Sequence, residues 1–146
     1  MAYYPPASFH FSVDFSGISD KADDTRFQSV GGLNMELNTE DYKEGGENRF
    51  VHVLPVKTKY PRLVLKRGML LDSKVVDWCL ETMNTLVVKP IDMGVSLLNE
   101  NHEPLMSWNI VHAWPVKWDI GEFNAEQSSL VIETLELTYH YFNVVK

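Results

Sequence analysis

Hydrophobic and polar residues alternate with a period of two along most of this chain. Phe9, Phe11, Val13 and Phe15 alternate with His10, Ser12 and Asp14, which predicts a half-buried strand. Pro5 and Pro6 bar a helix ahead of it, so residues 1–8 read as an extended arm. Residues 16–25, rich in Ser, Gly and Asp, predict a polar loop. Phe27 and Val30 then lead to Gly31-Gly32, beyond which Leu33, Met35 and Leu37 alternate with Asn34, Glu36 and Asn38. A glycine pair inside a strand predicts a bulge or bend, which lets a long strand pass from one sheet to another.

Residues 39–54 are polar apart from the isolated aromatics Tyr42 and Phe50, and Gly45-Gly46 can supply the positive φ of a turn. They predict a long hairpin mostly outside the core, and a surface excursion of that length usually has a function. A further strand runs through Leu63-Val64-Leu65 after the turn at Tyr60-Pro61, and Gly68 ends it. The period then changes. Asp72 or Ser73 is placed as an N-cap, and Val75, Val76, Cys79, Leu80 and Met83 follow at helical spacing, with Asp77, Glu81 and Thr82 on the other face and Trp78 at the edge. Ile91, Met93, Val95 and Leu97 form one arm of a hairpin, Asn99 to His102 its turn, and Leu105 to Val111 the return. Trp114 to Trp118 continues towards a loop at Gly121. The last strand, Leu130 to Phe142, places Val131, Leu135, Leu137, Tyr139 and Tyr141 on one face and Ile132, Thr134, Glu136 and Thr138 on the other, with Glu133 out of pattern. Roughly seven strands and one helix predict a mainly β (α+β) chain: a small antiparallel barrel or sandwich with a flanking helix. No linker or repeat interrupts it, so one domain over residues 1–146 is expected.

Composition narrows the function. A chain of 146 residues, 45% hydrophobic and 12% aromatic, can bury a core without staples. Its net charge of -7 argues against a nucleic-acid or anionic-membrane surface. Arg62, Lys66 and Arg67 make the one close basic cluster and read as a solvated strand edge or turn. Cys79 is the sole cysteine and reads as a buried thiol. No stretch is long and apolar enough for a membrane helix, and the N-terminus lacks the basic and apolar regions of a secretory signal. Export is therefore expected only as part of something larger.

Catalytic patterns do not emerge. His10, His52, His102, His112 and His140 share no short helical or strand spacing, so a metal site would need distant ones to converge. Ser128-Ser129 lacks a nucleophile elbow, and neither glycine pair has the setting of a phosphate loop. Asp23-Asp24 and Glu40-Asp41 read as solvated loop charge. Glu133 and Glu136 flank Leu135 and face either solvent or a water-filled lumen. No catalytic residue, metal or cofactor is expected.

Read in order, the chain resembles the tail-tube family of contractile phages, shared with extracellular contractile injection systems and, more distantly, type VI secretion tubes. The resemblance rests on Phe27, Val30, Gly32 and Leu33; Tyr42, Glu44, Gly45 and Gly46; Leu63, Leu65, Lys66, Arg67 and Gly68; and Trp78 and Trp108. It continues through Ala113-Trp114-Pro115 with Lys117, and through Glu133, Leu135, Glu136, Leu137 and Tyr139, so that it spans residues 9–142. It implies two near-orthogonal sheets closing on one another with a helix at the side. It further implies hexameric rings that stack into a tube around a lumen carrying a phage genome or a protein effector, with sheath, baseplate and spike-hub proteins as partners. The family's hairpin, carried onto residues 39–54, would reach the neighbouring ring. Tyr42, Glu44, Gly45, Gly46, Asn48, Arg49 and Phe50 are then contact candidates, Lys66 and Arg67 would face acidic residues of a neighbour, and Glu133 and Glu136 are lumen candidates. Assembly in the bacterial cytoplasm, no specific nucleic-acid binding and no membrane insertion by the chain alone complete that expectation.

Residues 44–50 and Phe123-Asn124-Ala125 look more like the variant tube copies that join the tube to the spike hub, so an initiator or adaptor is the alternative within the family. Outside it stand a monomeric ligand-carrying barrel, which requires an apolar cavity, and a small β hydrolase, for which the nucleophile–base pattern is missing.

Overall fold

The computed structural model describes residues 10–19, 21–43, 45–46, 49–122 and 131–145. The predicted arm at residues 1–8 lies outside them, as do Glu44 and Asn48. The described chain is mainly antiparallel β, as its alternation predicts, with one long helix at the side. The elements are β1 (His10–Phe15), α1 (Ala22–Thr25), β2 (Arg26–Phe27), β3 (Ser29–Gly31), β4 (Glu36–Tyr42), β5 (His52–Lys59), β6 (Leu63–Gly68), α2 (Lys74–Thr85), β7 (Ile91–Leu98), β8 (Pro104–Ile120), β9 (Ile132–Thr138) and β10 (Tyr141–Val145).

Pairing runs β2-β1-β7-β8-β9-β6-β3, with β10 on the first half of β8. The two end strands of that path are neighbours in sequence. Residues 26–31 form one run that pairs with β1 through Arg26 and Phe27 and with β6 through Ser29, Val30 and Gly31. The Gln28 N–H between them donates to the Lys66 carbonyl at 2.9 Å, so the path of pairings returns to its start.

Strand β8 links the two halves of this path. Its residues up to Ala113 pair with β7 and β10, whereas Trp114 to Ile120 pair with β9. The corner falls at His112, where φ is +60°. The Asp92 carboxylate accepts the His112 backbone N–H at 3.1 Å and so compensates a backbone group that leaves the ladder. Strands β9 and β10 turn the same corner at Tyr139-His140, and the His140 N–H donates to the Val111 carbonyl at 2.9 Å. The single last strand predicted from Leu130 to Phe142 is thus two strands that follow the bend in β8.

Alternation correctly identifies the inward side chains. Val13, Phe15, Leu63, Leu65, Val95, Ile110, Leu135 and Leu137 are fully buried, and each contributes roughly 1.5–3 kcal/mol by leaving water. Helix α2 lies at the side with Val75, Trp78, Cys79 and Thr82 buried, the spacing of one helical face, so Thr82, expected on the polar face, turns inward while Val76, Leu80 and Met83 are only half-buried. Trp78, expected at the edge of that face, is buried, and its indole N–H donates to the Lys89 carbonyl at 3.1 Å. Ser73 is the N-cap, its hydroxyl accepting the Val76 N–H at 3.2 Å.

The glycine pair predicted to bend a strand ends one instead. Gly31 closes β3, and Gly32 has φ +89°. A Cβ at Gly32 would stand 2.1 Å from the Arg62 carbonyl oxygen, so only glycine fits. Gly32 and Arg62 form the root of the excursion that carries β4 and β5 away from the rest of the fold. The hairpin therefore spans β4 and β5 entire, more than the predicted residues 39–54.

Candidate self-assembly surfaces

Among the described residues, strands β4 and β5 pair only with each other, from Glu36 opposite Lys59 to Tyr42 opposite His52. The register shifts between Asn38 and Thr39, which leaves Val56 unpaired as a bulge. A two-stranded ribbon is marginal in water on its own. This one also exposes Leu37, Val53, Leu54 and Val56, each at 50–59%. Cross-strand partners share a face. One face sets Leu37, Thr39 and Asp41 against Thr58, Pro55 and Val53; the other sets Glu36 and Asn38 against Lys59 and Lys57.

The predicted contact residues of the hairpin gather near its tip. Tyr42 and Phe50 are both more than half exposed, and both rings lie on His52, at centroid distances of 6.2 and 5.1 Å. Gly45 and Gly46 form the turn, with φ +90° at Gly46, and Arg49 is exposed beside them. The sequence reading missed Leu37, Val53, Leu54 and Val56. The unbroken run Val51 to Val56 looks like core by composition, and only Pro55 inside it signals an edge or unpaired strand.

Three expectations from the sequence are corrected, at Arg67, Glu133 and Asp24. Arg67 does not face a neighbour and Glu133 does not face a lumen, because both are buried inside the subunit and paired with each other. Arg67 is 3% exposed and Glu133 is 0% exposed. Arg67 Nε donates to Glu133 Oε2 at 2.8 Å, Nη1 to the Asp24 carbonyl at 2.7 Å, and Nη2 to Ser73 Oγ at 2.9 Å. The Asp24 carboxylate also stands 3.1 Å from Nη1, and the guanidinium lies 4.7 Å over the Phe27 ring. Trp118 Nε1 donates to the second Glu133 oxygen at 2.9 Å.

Asp24, read as solvated loop charge, is likewise buried. It accepts from the Ser73 hydroxyl at 2.5 Å and from the Lys74 N–H at 3.0 Å, so it caps the start of α2 together with Ser73. Burial pushes the Asp24 pKa up, but the Ser73 hydroxyl, the Arg67 charge and the Val75 N–H outweigh it and hold the group below its ordinary value. The positive end of the α2 dipole acts in the same direction. Cys79 nearby is fully buried, and desolvation with the Glu133 charge pushes its thiol up to about 12, which leaves it unreactive.

Lys66 and Glu136 do reach the outside. On the outer side of β6, β9 and the second half of β8, Glu136 lies between Lys117 at 3.3 Å and Arg62 at 3.8 Å. Lys66 is exposed on the same face, opposite Thr134, which in turn pairs with Asp119. Four of the five histidines converge in two pairs, which their spacing did not reveal. His10 Nε2 and His102 Nδ1 are 2.9 Å apart, and the rings of His112 and His140 stack at 3.9 Å across the β8 corner. Among the described residues no cluster of three or more His, Cys, Asp or Glu side chains is placed to hold a metal.

The described residues form a bent antiparallel framework with one flanking helix, from which a two-stranded ribbon with exposed apolar side chains protrudes. Residues 7–143 match the family described as T4-like virus tail tube protein gp19, and the chain belongs to that family. It is a structural subunit of a tail tube of the kind found in contractile injection systems. A chain of the anti-feeding prophage baseplate is 26% identical, with a TM-score of 0.80 over 99% of this chain and 97% of that one. A chain of the sheath–tube complex of the extracellular contractile injection system PVC is 23% identical, with a TM-score of 0.75 over 98% and 91%. Hcp1 from Flavobacterium johnsoniae shares the fold at 14% identity, with a TM-score of 0.55 over 92% and 94%. No curated protein sequence matches the chain.

Proposed function

We propose that this chain forms hexameric rings that stack into the inner tube of a contractile particle, a mechanical role without turnover. The observation that carries this reading is the β4–β5 ribbon, whose exposed apolar side chains require a cover that the described residues do not provide. Edge geometry supports ring closure. Among the described residues, β3 pairs only with β6, and β8 from Trp114 onward only with β9, so the sheet between them has an open edge at each side. Joining those edges between neighbours would remove both.

That closure would turn the outer face of β6, β9 and late β8 towards the lumen, with Glu136 and Lys66 as lining residues. Cargo would then meet Arg62, Lys66 and Lys117 interspersed with Glu136 and Asp119, a balanced surface despite the net charge of -7. Sheath and baseplate proteins are the expected partners, since the similar chains are found in such complexes. Assembly in the bacterial cytoplasm before release in a particle follows from this role. Size-exclusion chromatography with light scattering and negative-stain microscopy of the purified chain tests the reading. Six-fold rings or stacked tubes are expected, and a chain that stays monomeric at high concentration with its tail partners present would overturn it.

A second reading is a tube initiator at the baseplate. It is favoured by the baseplate chain being the more similar of the two particle proteins, at 26% against 23% identity. Rings that stack only after a spike hub is added would select it.

A further inference from the structure

The turn between β7 and β8 carries a histidine that the tube role does not use. His102 stands there with φ +62°, and its N–H donates to the Asn99 carbonyl at 3.0 Å. Asn99 is 4% exposed, and its side-chain oxygen accepts the N–H groups of Asn101 at 2.9 Å and Glu103 at 3.0 Å. The backbone that bears His102 is therefore fixed from within the turn. His10 is fixed as well, because it pairs with Leu98 at the start of β1. The two rings meet edge-on at the surface, with His10 Nε2 2.9 Å from His102 Nδ1.

A neutral imidazole has one donor and one acceptor nitrogen, so this pair shares a single proton between two lone pairs. Metal–nitrogen bonds of about 2.0–2.1 Å set at a right angle place two nitrogens about 2.9 Å apart, whereas tetrahedral bonds of that length place them about 3.4 Å apart. The observed 2.9 Å matches the right angle, the arrangement that copper(II) and nickel(II) take with imidazole nitrogens. The χ2 torsion of histidine is soft, and a small turn of each ring aims both lone pairs at one ion. Glu100 and Glu103, both exposed on the same turn, add negative charge beside it. We propose that His10 and His102 form a two-nitrogen chelate for a divalent transition-metal ion, Cu²⁺ or Ni²⁺, with solvent in the remaining positions. The ion displaces the shared proton and clips the start of β1 to the β7–β8 turn. The site is independent of the tube reading, since both nitrogens belong to one subunit.

Calorimetric titration of the full chain with Ni²⁺ tests the site. His10→Gln and His102→Asn are each expected to weaken the binding by about tenfold or more, because the remaining nitrogen loses its tethered partner. Asparagine tolerates the positive φ at position 102, so that variant should fold, as circular dichroism will show. His140→Ala serves as the control. It breaks the other histidine pair, whose stacked rings set faces and not nitrogens against each other, and should leave the affinity unchanged. With Cu²⁺ bound, electron paramagnetic resonance should report two nitrogens in the wild type and one in either variant. Wild-type Tm should rise by about 5–10 °C with free Ni²⁺ at a hundred times Kd, and the variants should show no such rise at the same concentration. A wild-type chain that binds neither ion would overturn the inference. So would binding that survives both single variants, or a loss in His140→Ala as large as theirs.

Discussion

Charge is buried where β6, β9 and the start of α2 meet, and apolar side chains are exposed along β4 and β5. Each region reverses the usual distribution of residues between inside and outside. In the first, every charged group has partners: Arg67 reaches Glu133, Asp24 and Ser73, and Glu133 also takes the Trp118 indole. In the second, Val53 and Val56 have none among the described residues that would hide them. The contrast separates two tasks. The buried cluster is complete in one copy and fixes how α1, α2 and the strands sit together. The ribbon is incomplete in one copy and leaves its contribution to assembly.

The largest effect should come from breaking the buried cluster. Arg67→Ala leaves the Asp24 and Glu133 carboxylates without their cation, and loss of one partner of a buried pair costs about 3–5 kcal/mol. Denaturant unfolding of the dilute subunit is expected to show that loss. Arg67→Met with Glu133→Met should be markedly less destabilising than the sum of the two single changes, because it removes the charge together with its partner. Additive losses would mean that Arg67 and Glu133 act separately. Next comes the boundary between the two regions. Gly32→Ala forces a Cβ against the Arg62 carbonyl at a positive φ, and about 1–3 kcal/mol is expected. The same substitution at Gly46, which has open space, should cost less.

Period-two alternation made most of the framework legible, since the inward residues of β1, β6, β7 and β9 are those it marks. The breaks were less legible. A β8 strand of 17 residues that serves two sheets looks in sequence like two strands, because the corner at His112 is made by backbone conformation and a bond to Asp92 twenty positions away. The buried cluster was invisible for a similar reason. Arg67 and Glu133 are 66 positions apart, and a charged residue in an alternating strand is read as outward unless its partner is known. The one local sign was Glu133 itself, out of phase with the polar positions and in phase with Leu135 and Leu137. The hairpin was legible as an excursion through Gly45-Gly46, but its apolar strands were not recognisable as exposed. Hydrophobic residues destined for a neighbour's surface have the same pattern as those destined for the core.

Acid sharpens the comparison more gently. The folded Asp24 pKa lies below its ordinary value near 3.8, so the native state binds fewer protons there than the unfolded state. Its contribution is therefore full above about pH 4 and is lost as pH falls through the folded pKa. Asp24→Asn should flatten that part of the acid unfolding curve. The rest of the pH dependence should remain, and an unchanged slope would place the acid sensitivity outside the cluster.

The smallest effect on folding belongs to the hairpin, and it tests the other half of the contrast. Val56 is 59% exposed in a bulge of a ribbon that, among the described residues, pairs with nothing else, and it lies outside the described core, so Val56→Ser leaves that core's packing intact. Surface changes of this kind stay within about 0.5 kcal/mol. Thermal unfolding must be read at subunit concentrations too low for assembly, since association would add stability that the variant lacks. A Tm unchanged to within about 3 °C is expected there, given the size of this chain. A drop beyond that would mean the ribbon folds back on its own subunit and contributes to its stability. The exposed apolar strands would then be covered within one copy, and the division between a self-sufficient framework and an open arm would no longer hold.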